Sequence, residues 1–252
     1  MIGVFDSGIG GLSVLKALRA ELPHEDFVYF ADTAHAPYGE RGDAYVVDRT
    51  RAVVERLRAA HAVKALVIAC NTATAAAVHV VRAEHADLPV VGVEPALKPA
   101  VAASRTGRIG VLATRGTLGS AKFRQLHASL AGQATFSLQP CDGLADAIEA
   151  QDADRIARQC AQYAQAVGPF GTQEGQTDVL VLGCTHYPFA TRELASVCGP
   201  QVKLIDTGQP VARQTRRLLG EAGLLRTAGA AMLSLDATGS LPALRAAVDR
   251  WL

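Results

Sequence analysis

The sequence predicts an α/β protein of two pseudo-symmetric lobes, each an open, mostly parallel sheet flanked by helices. Three observations point there. Short apolar runs recur along the chain and stay continuous instead of alternating with polar residues. A strand covered on both faces has no solvent side to make polar, so such runs mark the buried strands of a parallel sheet. Longer segments with helical spacing separate them, the βαβ rhythm of an open α/β fold. The chain also repeats itself weakly, which divides the rhythm into two halves.

The strands are expected at Ile2–Phe5, Phe27–Ala31, Ala65–Ala69, Val90–Val93, Ile109–Ala113, Thr135–Leu138, Val179–Gly183, Val202–Ile205 and Ala231–Leu235. The clearest helical segments are Gly42–Ala60, Thr72–His85, Ala153–Ala166 and Pro210–Glu221. Ile2-Gly3-Val4-Phe5 matches Ile109-Gly110-Val111-Leu112, and Val67-Ile68-Ala69-Cys70-Asn71-Thr72 matches Val181-Leu182-Gly183-Cys184-Thr185-His186. Val93-Glu94-Pro95 matches Ile205-Asp206-Thr207 in the same order. The repeat puts a lobe boundary near Val93–Lys98.

Composition removes several classes of function. In 252 residues, 25 Lys+Arg face 24 Asp+Glu, a formal charge of +1, so bulk attraction to nucleic acid or an acidic membrane surface is not expected. A hydrophobic fraction of 49% excludes disorder. No stretch approaches the roughly 20 apolar residues of a membrane helix. The start, Met1-Ile2-Gly3-Val4-Phe5-Asp6, has no basic leader, and the five cysteines are odd in number without any C-x-x-C pair. Free thiols and no leader lead to the expectation of a cytoplasmic protein without a disulfide framework or metal site.

In an open parallel sheet, ligands bind beyond the carboxyl ends of the strands, so polar residues directly after apolar runs come first. Asp6-Ser7-Gly8-Ile9-Gly10-Gly11 ends the first strand; its glycines let backbone approach a ligand and the next helix offers N–H groups to an anion. A dinucleotide reading competes, with Asp32 as the ribose-binding acid. Against it, Ser13 stands at the third-glycine position and Asp6 would face the pyrophosphate. The Pro37-Tyr38-Gly39 turn either aims a phenol and amides at a ligand or is an ordinary turn with an aromatic lid. Thr114 and Thr117 suit a carboxylate and equally suit helix capping. Glu94 and Asp206 either shape the cleft between the lobes or cap helices, and capping is the preferred reading.

Cys70 and Cys184 end matching strands of the repeat, each before polar residues, Asn71-Thr72 and Thr185-His186. Both are expected near helix N-termini, whose dipoles favour thiolate, while Cys141, Cys160 and Cys198 read as ordinary thiols. His186 serves either as a proton partner to Cys184 or as a packed or capping side chain. Two opposed thiols permit a redox disulfide. They equally permit inversion of a carbon centre, which takes a proton from one face and returns one to the other. A thiol of pKa near ~8.5 can act as either base or acid.

These residues together resemble the bacterial glutamate racemases of the cofactor-independent aspartate/glutamate racemase superfamily. The resemblance rests on Asp6-Ser7-Gly8-Ile9-Gly10-Gly11-Leu12-Ser13-Val14, Ala36-Pro37-Tyr38-Gly39, Ala69-Cys70-Asn71-Thr72-Ala73-Thr74 and Leu182-Gly183-Cys184-Thr185-His186-Tyr187-Pro188, and runs from Gly3 to about Leu219. It implies interconversion of L- and D-glutamate without cofactor or metal, supplying D-glutamate to peptidoglycan. Cys70 would take the α-proton of D-glutamate and Cys184 that of L-glutamate, assisted by Asp6 and His186. Asp6-Ser7, Pro37-Tyr38-Gly39, Asn71-Thr72 and Thr185-His186 match the substrate-binding groups, and Thr114 and Thr117 the hydroxyls that hold a substrate carboxylate. Glu149 is the nearest match to a further assisting acid, with Asp146 close by.

The resemblance also implies a first lobe of residues 1–94 and 206–252, a second lobe of 95–205, an active site in the cleft between them, and a homodimer. His35 departs from the arginine that many members carry before the turn. The chain begins almost on its first strand, so activation by a cell-wall precursor is not expected. Two other functions stay open: a relative racemising another acid such as aspartate, and a non-enzymatic two-lobed binding protein.

Overall fold

The computed structural model describes all residues, 1–252. The chain divides into two compact units, Met1–Val93 with Gly208–Leu252, and Glu94–Thr207. Glu94 thus falls with the second unit instead of closing the first: it is not a cap but pairs with Lys122, at 2.8 Å. Asp206 and Thr207 also belong to the second unit, and the first resumes at the helix that starts on Gly208.

The first unit alternates β1 (Ile2–Asp6), α1 (Leu12–Glu21), β2 (Phe27–Ala31), α2 (Asp43–His61), β3 (Ala65–Ile68), α3 (Asn71–Glu84) and β4 (Val90–Gly92). Every residue of β1, β2 and β3 is buried, which is why these strands carry no polar face. Helix α2 stops where Ala62 turns left-handed, with Arg58 and His61 in its last turn complementing the helix dipole. Phe5, Phe30, Val53, Leu57, Leu66 and Ile68 form the core on one side of this sheet, and Cys70 and Tyr38 close it at the strand ends.

The second unit runs α4 (Leu97–Ala103), β5 (Arg108–Ala113), α5 (Arg115–Gly119), α6 (Ala121–Ala128), β6 (Thr135–Pro140), α7 (Leu144–Glu149), α8 (Ala153–Gln165), β7 (Val179–Leu182), α9 (Thr191–Cys198) and β8 (Lys203–Ile205). The chain then returns to the first unit with α10 (Gly208–Glu221), β9 (Leu233–Ala237) and α11 (Leu241–Trp251).

Both sheets are parallel throughout, ordered β4-β3-β1-β2-β9 and β6-β5-β7-β8. Reversed, the second reads β8-β7-β5-β6 and copies the first four strands of its counterpart. The register is copied too: Asp6 lies opposite Ala31, and Ala113 opposite Pro140. The difference is β9, which covers the outer edge of β2. Its span lies two residues later than the apolar run Ala231–Leu235. Phe27 N donates to the Met232 carbonyl (2.9 Å) and Met232 N to Asp26 Oδ1 (2.8 Å), and these bonds set the register of Phe27 against Leu233.

Candidate active site

The carboxyl ends of β1, β2 and β3 bring together Asp6, Asp32 and Cys70. Asp6 is fully buried, and its Oδ1 accepts from the Gly8 amide at 2.6 Å. The glycine loop is needed here because the backbone passes so close: a Cβ on Gly11 would lie 2.7 Å from that of Asp6 and 2.9 Å from the Tyr29 hydroxyl. Ser7 Oγ lies 3.7 Å from Cys70 Sγ.

Cys70 is the N-cap of α3, its sulfur accepting from the Ala73 amide at 3.4 Å. A sulfur there faces unpaired amides and the positive end of a four-turn helix, both of which favour thiolate. Asn71, next in sequence, is 5% exposed, and neither its amide nitrogen nor its amide oxygen has a partner. A buried polar group is nearly always hydrogen-bonded, so this amide beside the thiol keeps its donor and acceptor capacity unused within the protein. Thr72 follows it, half-buried.

In the second unit Cys184 lies two residues past β7, but no α-helix starts there, contrary to expectation. The chain makes a tight 3₁₀ turn over Tyr187–Ala190, and α9 begins only at Thr191. Pro188 has no N–H to donate to the Cys184 carbonyl, so the i→i−4 bond that would open an α-helix on the cysteine cannot form, and the Tyr187 amide donates there at 3.1 Å instead. The Cys184 sulfur instead lies 3.7 Å from His186 Nδ1, and the far side of that ring, Nε2, is 2.7 Å from Glu149 Oε1. Burial opposes a charge on the His186 ring. Cys184 and Glu149 outweigh it and hold the imidazole pKa well above its usual value. Thr185, between thiol and imidazole, is buried.

The other expected residues divide. Thr114 Oγ1 caps α5, accepting from the Thr117 amide at 3.1 Å, and bonds the Thr117 hydroxyl at 2.9 Å. Capping is what the structure shows for this pair. The Tyr38 phenol does not face outward: it donates to Asp32 Oδ2, its ring packs on Phe5, and burial followed by Asp32 pushes its pKa far upward. Of the Pro37-Tyr38-Gly39 turn, the backbone is what remains to meet a ligand. Asp32 is saturated by Tyr38, His35, Arg49 and Thr238, which removes it as a ribose-binding acid.

All five cysteines are buried, and no disulfide joins them. Burial pushes Cys160 up to about 12 and Cys198 up to about 11, and drives Cys141 higher still. These three are packing residues. Reading along the sequence missed Arg49 and Thr238; the signal available was Asp32 itself, an acid placed directly after a buried strand.

This architecture, two parallel α/β units with a thiol at the end of the matching strand in each, defines a class. The chain matches the Asp/Glu/Hydantoin racemase family model over residues 2–215 and belongs to that family. Within it the chain falls among the glutamate racemases. It is 48% identical over 249 residues to glutamate racemase of Ralstonia pickettii, covering 98% of this chain and 86% of that one. Its fold superposes on glutamate racemase isoform RacE1 of Bacillus anthracis with a TM-score of 0.88 at 30% identity, covering 100% and 93% of the two chains. The Escherichia coli glutamate racemase in complex with L-glutamate and the activator UDP-MurNAc-Ala gives 0.84 at 32% identity, covering 99% and 94%. Three chemically distinct substrates share the family's name, but the relatives at this identity are named for glutamate.

Proposed function

We propose that the chain interconverts L- and D-glutamate by proton transfer between two thiols, without cofactor, and so supplies D-glutamate for peptidoglycan in the cytoplasm. One observation carries the reading: Cys70 and Cys184 end equivalent strands, and each has its own proton partner or helix terminus, while burial holds the other three thiols protonated. In one direction the Cys184 thiolate takes the α-proton of L-glutamate, becoming a thiol. The Cys70 thiol gives its proton to the opposite face of the resulting carbanion and becomes the thiolate. For D-glutamate the two exchange roles, so no oxidant, reductant or net proton is consumed.

His186, with Glu149 behind it, supports the charge on the Cys184 sulfur. The helix terminus and Asp6 serve Cys70. Asn71 and the amides of the Pro37-Tyr38-Gly39 turn offer polar groups to the substrate, and the Thr114–Thr117 pair offers its remaining acceptor and donor capacity. The test is to incubate the protein without additives in deuterated water with L-glutamate and, separately, L-aspartate. Loss of optical activity with deuterium gained at the α-carbon is expected for glutamate. Faster turnover of aspartate would assign the relative with the other substrate, and no exchange with either would leave a binding protein.

A further inference from the structure

The Asp32 cluster has no counterpart in the second unit. Asp32 follows β2, is fully buried, and its backbone N–H donates to the Asp6 carbonyl at 3.0 Å. Its carboxylate draws donors from four places. Arg49 of α2 makes a fork, Nε to Oδ2 at 3.1 Å and Nη2 to Oδ1 at 3.0 Å. Thr238, just past β9, gives its hydroxyl to Oδ1 at 2.9 Å. His35 Nδ1 lies 3.0 Å from Oδ1, and the Tyr38 phenol donates to Oδ2.

The segment between Asp32 and Gly39 is therefore held from outside itself. Thr238 Oγ1 also accepts from the Ala34 amide at 3.2 Å, and Thr238 N donates to the Ala31 carbonyl at 3.1 Å. Gly239 presses against the same segment: a Cβ there would lie 2.4 Å from Thr33 Oγ1. Burial alone would raise the Asp32 pKa, but the donors from Arg49, Tyr38 and Thr238 outweigh it and hold the carboxyl below its usual range.

We propose that Asp32, Arg49 and Thr238 form a positioning device for the Pro37-Tyr38-Gly39 turn, through which the C-terminal strand sets affinity for substrate without touching the reacting carbon. The proposal rests on the racemase reading, which makes the turn's backbone a substrate contact. Thr238 is the residue that distinguishes it. Replacing its hydroxyl by a methyl removes one donor from Asp32 and one acceptor from the Ala34 amide and leaves Arg49 in place.

The experiment compares wild type, Thr238→Val and Thr238→Ser in glutamate racemisation, with Arg49→Lys as a second route to the same carboxylate. Wild type is assayed first, since failure to racemise glutamate would refute the functional reading and leave the device to be judged by thermal stability and D-glutamate calorimetry alone. With racemisation present, Thr238→Val is expected to raise KM for both enantiomers about fivefold, the scale of one hydrogen bond, with kcat unchanged. Thr238→Ser is expected to restore it, and Arg49→Lys, which loses the fork, to raise KM likewise. Unchanged KM in Thr238→Val would overturn the device, whatever Arg49→Lys does. So would a fall in kcat that tracks lost thermal stability and is not rescued by serine.

Discussion

The same strand-end position is solved differently in the two units. In the first, Cys70 caps a 14-residue helix, and a backbone amide meets its sulfur. In the second, the chain turns away over Tyr187–Ala190 before any α-helix begins, and the Cys184 sulfur meets an imidazole backed by a carboxylate. A helix terminus is a fixed partial charge, whereas an imidazole can gain or lose a whole one. The two thiols therefore share a place in the fold but not a means of holding charge. A second contrast follows β2 and β6. Asp32 and Cys141 stand at matching positions, each donating its amide to the end of the central strand, yet one is a saturated carboxylate and the other a buried thiol that donates to the Gln139 carbonyl.

The largest test of the comparison removes each sulfur in turn. Cys70→Ser and Cys184→Ser are each expected to lower kcat by about 10³-fold or more, because a hydroxyl cannot serve as the base at neutral pH. Steady-state circular dichroism reads the loss, and a single variant near wild-type rate would break the two-thiol scheme.

His186→Asn comes next, with a fall in kcat/KM of about 10²-fold, equal in both directions because the enantiomers have the same free energy. The asymmetry between units belongs in the primary deuterium isotope effect. It is expected to grow more for α-deuterated L-glutamate, which Cys184 deprotonates, than for the D form. Equal changes would mean that His186 serves both thiols.

Glu149→Gln is expected to cost about tenfold in kcat/KM, the scale of a charge-assisted hydrogen bond. It also has a pH signature with a definite sign. The folded His186 pKa is raised above the unfolded value of about 6.5, so its contribution to stability is complete below that pH and fades as pH rises through the folded value. The Tm gap between wild type and Glu149→Gln should be widest near pH 6 and narrow in alkali. A gap that widens with pH would show that Glu149 does not support a charged imidazole.

The smallest effect concerns the remaining thiols. Their raised pKa values leave little thiolate at pH 8, so native iodoacetamide labelling should spare Cys141, Cys160 and Cys198. Cys160→Ser should leave kcat unchanged and cost about 1 kcal/mol of stability by placing a hydroxyl in the core. A kinetic defect in that variant would give a third cysteine a role.

Much of this protein is written locally. The apolar runs of β1, β2, β3 and β7 are unbroken because every residue in them is buried, whereas β6, β8 and β9 are only partly covered. Cys70 and Cys184 stand out because a strand end is visible in the chain itself, and Asn71 follows from Cys70 by adjacency. Glu149 carries no such mark: it ends a short helix 37 residues before His186, and only folding sets its carboxylate 2.7 Å from the ring.

Pro188 is in plain view, yet the repeat with Cys70 points to a second helix start at Cys184, and the turn that Pro188 enforces overrides it. The Asp32 cluster lies furthest from local reading. Its carboxylate is paired with Arg49 from a neighbouring helix and with Thr238 some two hundred residues away, brought in by a strand that the repeat does not contain. Hydrophobic periodicity is a property of neighbouring residues, and so the sequence alone determined where the strands lie, the four longest helices and the two thiols. Which donors satisfy a buried carboxylate, and which acid stands behind an imidazole, depends on pairings across the fold that carry no local pattern. Those only the tertiary structure decided.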